Sequence, residues 1–142
     1  MLTIGYTSLA KVSSTSIDAR ELRDGRGATV RGLVVDVTQS QYRQERSFVD
    51  VDEIPELIKG ANALLEVQAN PTTHKNFEVR YTTKGQLEIT AYNDDTGKIE
   101  YVVQAGRGVS AKDYMNAKEF AQFRDALVAA QTRLAPATLP AR

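Results

Sequence analysis

Cysteine is absent from this 142-residue chain, and histidine occurs only once, as His74. The lack of cysteine excludes disulfides, thiolate catalysis and cysteine-ligated metals. A single histidine offers no second imidazole for a metal pair and has no evident nucleophile beside it, so a histidine-centred mechanism is not expected. Lys and Arg together number 18, as do Asp and Glu, so no net charge would draw the chain to nucleic acid or to an acidic membrane.

Long apolar runs are also missing, since none approaches the ~20 residues that a bilayer-spanning helix requires. The first residues lack the basic lead and the apolar core of a signal peptide, which favours a cytoplasmic location. Apolar residues make up 42% of the chain and charged residues 25%. These proportions are typical of one globular domain that buries a core.

The sequence contains an internal repeat. Residues 48–61 and 114–127 share one layout, the end of a strand that runs into an amphipathic helix. The aligned pairs are Glu53 with Glu119, Ile54 with Phe120, Leu57 with Phe123 and Ala61 with Leu127. The repeat predicts that one domain contains two sheet-plus-helix units, related by an imperfect duplication.

Alternation of apolar side chains predicts few strands in the first half. A short strand is predicted over residues 2–6 and a firm one over 30–37, with Gly32 as a bulge. The polar segment 11–27 is predicted to contain a brief helical turn, and 39–44 an exposed turn or ribbon.

The first helix is predicted over residues 53–65, where apolar residues recur at spacings of three and four. Pro55 must lie in the first turn, where its missing N–H has no partner to lose, so Asp52 is predicted as the N-cap in preference to Asp50. Gly60 inside this helix costs about 1 kcal/mol relative to alanine, and close approach of a neighbouring backbone would explain it.

The second half contains the clearest pattern. Alternation over 77–81, 87–91 and 99–105, separated by turn residues, predicts a three-stranded antiparallel meander with one apolar face. The glycines of 106–108 are predicted to end it.

A second helix follows, with Asn116 as its cap and Glu119 completing a capping box. Its apolar stripe extends to Leu134, and residues 135–142 are predicted to form a flexible tail. The predicted fold is therefore a single α+β domain, 1–134, in which two amphipathic helices cover one face of an antiparallel sheet.

Three segments suggest chemistry, and each has a plainer interpretation. Asp50, Asp52 and Glu53 could hold a hard cation, but acidic residues also cap helices. Residues 93–95 are explained by turn formation. Ser110, after Gly-Arg-Gly-Val, matches neither a nucleophile elbow nor a dinucleotide loop. We therefore expect no enzyme activity, no metal and no cofactor.

Basic and aromatic residues suggest a second function, binding of single-stranded nucleic acid, in which cations contact phosphates and bases stack on aromatic rings. The candidate residues are Arg43, Arg46, Arg80, Lys84 and Tyr92. Tyr81 lies on the same face as the apolar residues Phe77 and Val79 and is predicted to be buried. Tyr92 is predicted to lie on the opposite, solvent-exposed face. An ordinary solvated surface is the favoured interpretation of these charges.

Two resemblances bear on function. Residues 81–127 together with 48–54 resemble small uncharacterised bacterial proteins with a sheet and two helices, a resemblance that implies a fold and no activity. Residues 98–127, with Gly-Arg-Gly-Val-Ser at 106–110 before the helix, resemble the PC4/Whirly type of single-stranded DNA-binding protein. That type places a helix after each antiparallel sheet, whereas here the first unit shows fewer strands and the net charge is zero.

A non-catalytic interaction module is the function that the sequence favours. Its expected partner is another protein or a second copy of the chain, with single-stranded nucleic acid as the alternative and no membrane partner.

Overall fold

A computed structural model describes residues 1–68 and 71–134 of the chain. The first half contains the strands β1 (Thr3–Val12), β2 (Thr15–Arg23), β3 (Thr29–Ser40) and β4 (Arg43–Asp50), a 3₁₀ turn (Val51–Glu53) and the helix α1 (Ile54–Leu65). The second half contains β5 (Glu78–Thr82), β6 (Glu88–Asn93), β7 (Ile99–Ala105), β8 (Ala111–Met115) and the helix α2 (Ala117–Leu134). The predicted tail, 135–142, lies outside the described residues.

The strands form two antiparallel sheets of four strands each, with the orders β1-β2-β3-β4 and β5-β6-β7-β8. We call them the N-terminal and C-terminal sheets. The α+β class predicted from the sequence is confirmed. The meander predicted with three strands has four, because β8 follows the glycines that were expected to end it.

The fourth strand escaped prediction because its inward positions are not all apolar. Ala111, Asp113 and Met115 point inward and are buried, with Asp113 only 6% exposed. The Asp113 carboxylate accepts hydrogen bonds from Ser13 Oγ (2.8 Å), Ser14 N (2.8 Å) and Thr15 Oγ1 (2.7 Å). Hydrogen bonds from the distant β1–β2 turn thus permit a burial that alternation alone argues against.

The helical turn predicted within residues 11–27 is wrong, because Thr15–Arg23 forms β2. Ile17 and Ala19 alternate with Ser16 and Asp18, and only the first pair is buried. Thr15 is also fully buried at an inward position, since it donates to Asp113. A polar residue in the inward series obscured the period of two.

The two helices lie against the inner faces of two sheets, which corrects the prediction that both cover one sheet. Helix α1 contacts β5, β6 and α2, whereas α2 contacts β1, β2 and β3 of one sheet and β7 and β8 of the other. One continuous core results. Phe120 lies within it, with its ring stacked on that of Tyr101 at a centroid distance of 4.5 Å.

The helix starts agree only in part with the sequence. Neither aspartate caps α1 itself, because Glu53 holds its N-cap position without a side-chain hydrogen bond. Asp50 caps the 3₁₀ turn that precedes α1, and its carboxylate accepts from Asp52 N at 3.0 Å. The prediction failed because it assumed that the strand enters the α-helix directly. The capping box is confirmed, since Asn116 N donates to Glu119 Oε1 (3.0 Å) and Glu119 N to Asn116 Oδ1 (2.8 Å).

Two glycines are explained by neighbours that leave no room for a side chain. A Cβ on Gly60 would lie 2.9 Å from the ring of Tyr81, so the close neighbour is a side chain instead of the expected backbone. Tyr81 packs against the core, as predicted. Gly32 is no bulge, because it pairs regularly with both neighbouring strands. A Cβ there would clash with the backbone carbonyl oxygen of Val49 and would lie 2.5 Å from the ring of Phe48.

Alkaline pH is expected to destabilise the fold through Tyr101. Its burial, and secondarily the nearby Glu100, raises the pKa of the phenol above its ordinary value of 10.0. The folded state therefore favours the neutral phenol, and stability is lost as the pH rises beyond about 10, where the unfolded state releases the proton first. In urea unfolding between about pH 8 and about pH 11, which lie below and above the ordinary pKa of the phenol, the stability of the wild type relative to Tyr101→Phe should fall above pH 10. A difference independent of pH would contradict this assignment.

Candidate interaction surface

The outer face of the N-terminal sheet carries an apolar row across three strands. Ile4 pairs with Leu22, and Leu22 pairs with Val30, so the three side chains lie side by side. Ile17 and Ala19 of β2 are buried on the inner face, which places Leu22 and its partners on the other side. Ile4 is 49% exposed and Val30 44% exposed. We call Ile4, Leu22 and Val30 the apolar row.

Tyr6 and Arg20 extend the apolar row by one register position. They are paired across β1 and β2, and the Arg20 guanidinium carbon lies 5.8 Å from the centre of the Tyr6 ring. The Asp18 carboxylate oxygen Oδ2 lies 3.9 Å from Arg20 Nη2. Arg20 Nε is buried and has no hydrogen-bond partner within residues 1–68 and 71–134. Tyr6 is 70% exposed, so the aromatic ring of this pair is open to solvent.

The rest of this outer face is shielded by its own side chains. Val34 is buried although it points outward, and the neighbouring Phe48 is half-buried with its ring against Gly32. Further along, Asp36 accepts from Arg46 and Gln44, at 3.0 and 2.7 Å. On this outer face, the exposed apolar surface is therefore confined to the apolar row and Tyr6.

Strand β1 is an edge of the N-terminal sheet and is paired only with β2 among the described residues. The pairing is regular from Thr3 to Ser8 and is interrupted by a bulge between Ser8 and Ala10. Lys11 is the only charged residue of the strand. This edge thus presents unpaired backbone groups beside an exposed apolar row.

Two of the predicted nucleic-acid residues share the outer face of the C-terminal sheet. Arg80 and Tyr92 line a shallow concavity together with Tyr114 and Lys112. Tyr92 is half-buried, and burial, then Glu100, raises the pKa of its phenol. The carboxylates that line or border this face are Glu78, Glu88 and Glu100.

Arg80 is already paired on this face. Its guanidinium contacts Glu78 and lies 3.9 Å from Glu88. Carboxylates beside the only arginine of the concavity oppose a polyanion, since a phosphate would have to displace them.

The remaining three predicted residues lie elsewhere. Arg46 and Lys84 line a cleft between β4 and the β5–β6 turn, where Asp50 and Glu53 also lie. Arg43 stands at the start of β4, and its guanidinium donates to the carbonyl of Ser110 at 3.4 Å. The five predicted residues therefore divide among three places and form no continuous basic path.

Asp94, one of the residues considered for metal binding, has structural partners. Asp94 Oδ1 accepts from Thr96 and Lys98, and the Thr96 hydroxyl, as the largest cause, lowers the pKa of the Asp94 carboxyl. His74 is exposed in the loop before β5. Within residues 1–68 and 71–134, no three His, Asp or Glu side chains are grouped so that they could hold a metal ion.

Sequence reasoning missed the apolar row as an interaction surface. Alternation of Ile4 and Tyr6 predicted a strand, but neither side of that strand was assigned to the core or to solvent. The pattern held no signal for an exposed row, because alternation places Ile4 and Tyr6 on one side of the strand but does not determine which side is covered.

Comparison with protein-family models and with curated protein sequences finds no match for this chain. Among the described residues, neither helix is long and apolar enough to span a bilayer.

Proposed function

We propose that this protein is a non-catalytic interaction module that binds a protein partner through the outer face of its N-terminal sheet. The observation that carries the proposal is the apolar row, in which Ile4 and Val30 remain 49% and 44% exposed although they lie side by side with Leu22. Single exposed apolar residues are ordinary, but a contiguous group beside a free sheet edge is typical of a binding surface.

The residues around the apolar row have the chemistry of a protein interface. Tyrosine and arginine are enriched where protein interfaces are most strongly stabilised, and Tyr6 and Arg20 lie together next to the row. Arg20 is held by Asp18 and by the tyrosine ring, so little side-chain freedom remains to be lost on binding. This aromatic–arginine pair beside an apolar surface therefore suits a protein partner that presents an apolar strand or helix.

We also propose that the two halves are imperfect copies of one unit. Each consists of four antiparallel strands followed by a helix, and the aligned Ile54 and Phe120 are both buried at the start of their helices. The copies differ in the 3₁₀ turn before α1 and in the length of their strands, which reach 12 residues in the first sheet and 7 in the second. Duplication would account for two sheets sharing one core.

Single-stranded nucleic acid binding is the alternative. The order of four strands and a helix, occurring twice, supports the PC4/Whirly resemblance, and Tyr92 and Tyr114 on one face offer stacking surfaces. The local charge opposes it, because Glu100 and Asp94 both contribute to the raised pKa of Tyr92 and would repel phosphate as well. The protein-binding function is therefore favoured.

Charge introduced into the apolar row is expected to weaken partner binding by at least tenfold, or about 1.4 kcal/mol. The full chain serves as an affinity bait in three forms, wild type, Val30→Glu and Thr82→Glu. Thr82 is exposed on the C-terminal sheet and provides the matched control. A partner lost with Val30→Glu and retained with Thr82→Glu, then confirmed by titration of the purified pair, supports the proposal.

The same variants separate the alternative. Fluorescence anisotropy with a short oligonucleotide at low and moderate salt should show no binding by the wild type. Tight binding that falls steeply with salt, and is lost in Arg80→Glu but kept in Val30→Glu, would overturn the protein-binding function in favour of the nucleic-acid one.

A further inference from the structure

We infer that the free edge of β1 pairs with β1 of a second copy of this chain, antiparallel about a two-fold axis. This pairing goes beyond the proposed function, because it uses the edge of the same sheet and requires no contact with Val30 on β3. Strand β1 has 10 residues, and β2 occupies only one of its two edges. Along the other edge, alternate backbone N–H and C=O groups point away from the sheet and can continue the ladder.

The charge of β1 distinguishes it from the other edge strands. No charged residue occurs from Thr3 to Ala10, and Lys11 follows the bulge. The edge strand β4 carries Arg43 and Arg46, and β5 and β8 have only five residues each and carry charges as well. Proteins discourage pairing at an edge by short strands and by charged side chains, and β1 has neither protection along eight successive residues.

Strand geometry selects the register. Directly opposed residues of an antiparallel pair point to the same face of the sheet, so an outward residue must meet an outward residue. Ile4 and Tyr6 point outward, and the regular part of the strand ends at Ser8. A two-fold axis through Gly5 therefore sets Ile4 opposite Tyr6 of the second copy, and the symmetry produces this contact twice.

The opposed side chains are compatible in this register. Pairs of an aromatic and a β-branched residue are among the favourable cross-strand pairs, and both Ile4 and Tyr6 are exposed in the isolated chain. On the inner face, Thr3 meets Thr7, and a Cβ at Gly5 would contact nothing within 4 Å. An axis through Tyr6 would instead set Ile4 opposite Ser8 and leave it without an apolar partner.

Sedimentation equilibrium of the full chain tests the association. Between about 1 μM and about 1 mM, a range that covers weak to moderate affinities, the apparent mass should rise from 15.6 kDa toward twice that value. Ile4→Glu should raise the dimer dissociation constant by at least about tenfold, because it removes both aromatic contacts and opposes desolvation. Val30→Glu, a similarly exposed residue on the same face but two strands away, should leave it unchanged.

The absence of cysteine allows a direct test of the register. Gly5→Cys places two thiols across the proposed axis, and mild oxidation should yield a covalent dimer faster than Thr82→Cys, an exposed position on the edge strand β5. Circular dichroism of each variant confirms that it is folded. Faster cross-linking of Tyr6→Cys than of Gly5→Cys would overturn the register.

The outcomes separate this pairing from the proposed function. A wild type that stays monomeric up to about 1 mM, or a dimer unaffected by Ile4→Glu, overturns the β1 pairing. A dimer weakened equally by Ile4→Glu and Val30→Glu also overturns it, since the sheets would then meet face to face. A monomer whose other partner is still lost with Val30→Glu leaves the proposed function intact.

Discussion

Replacing Asp113 by alanine is expected to destabilise the protein by about 3–4 kcal/mol, a large part of the 5–15 kcal/mol that holds a domain of this size together. The Asp113 carboxylate is 6% exposed and accepts from Ser13, Ser14 and Thr15. Hydrogen bonds to a charged group are worth about 1.5–3 kcal/mol each, less where solvent competes, as at the exposed Ser13 and Ser14.

The largest part of this expected loss of stability comes from the contact with Thr15. Its side chain is fully buried, and its hydroxyl donates to Asp113 at 2.7 Å. Once the carboxylate is removed, that hydroxyl has no acceptor and cannot reach water, which costs about 1–3 kcal/mol. The contact also joins β8 of one sheet to the first residue of β2 in the other, so the loss weakens the attachment between the two halves.

Urea unfolding monitored by circular dichroism measures the effect. Asp113→Asn retains one acceptor oxygen and should lose about half as much stability as the alanine variant. In a double-mutant cycle with Thr15→Val, the coupling should be about 1–2 kcal/mol. A destabilisation by Asp113→Ala of less than about 1 kcal/mol, or an absence of coupling, would contradict the role given to this carboxylate.

Replacing Phe120 by alanine is expected to cost about 3–5 kcal/mol of folding free energy. Phe120 is fully buried, stacks on Tyr101 with an angle of 7° between the rings, and lies 5.8 Å from the ring of Phe123. It is the first buried residue of α2 and contacts β7 through Tyr101, so the cavity would open where the helix meets the C-terminal sheet.

Two matched variants test the cause. Phe120→Leu retains most of the apolar volume and should cost about 1–2 kcal/mol, including the lost aromatic stacking. Val128→Ala, in the same helix but 42% exposed, should change stability by less than about 0.5 kcal/mol. Equal effects of Phe120→Ala and Val128→Ala on urea unfolding would show that α2 is not anchored by this ring.

Part of the fold was predictable because its causes are local. The capping box of Asn116 and Glu119 and the extent of α1 follow from residues within four positions of one another. Strand β7 has an apolar residue at every inward position, and β6 has one at each inward position except Asn93 at its end, so alternation alone located them. Turn residues such as Asp94 and Gly97 needed no distant partner, because the Asp94 carboxylate accepts from Thr96 and Lys98 beside it.

The candidate surface was not predictable in the same way. Ile4, Leu22 and Val30 become one row only through the register of three strands, and Leu22 belongs to a strand that the sequence did not indicate. Which side of β1 faces solvent also depends on the bulge after Ser8, where the alternation changes phase. The basic residues, in contrast, were visible in the sequence but lie in three separate places.

The sequence by itself determined the α+β class, both helices and the exclusion of cysteine chemistry, since these depend on composition and on short-range periodicity. Only the tertiary structure decided that there are two sheets, that Thr15 and Asp113 are buried, and that an apolar row remains exposed. The physical reason is that burial of a polar group depends on its hydrogen-bond partner, and exposure of an apolar one on what covers it. For this protein, those partners lie up to 100 residues away along the chain.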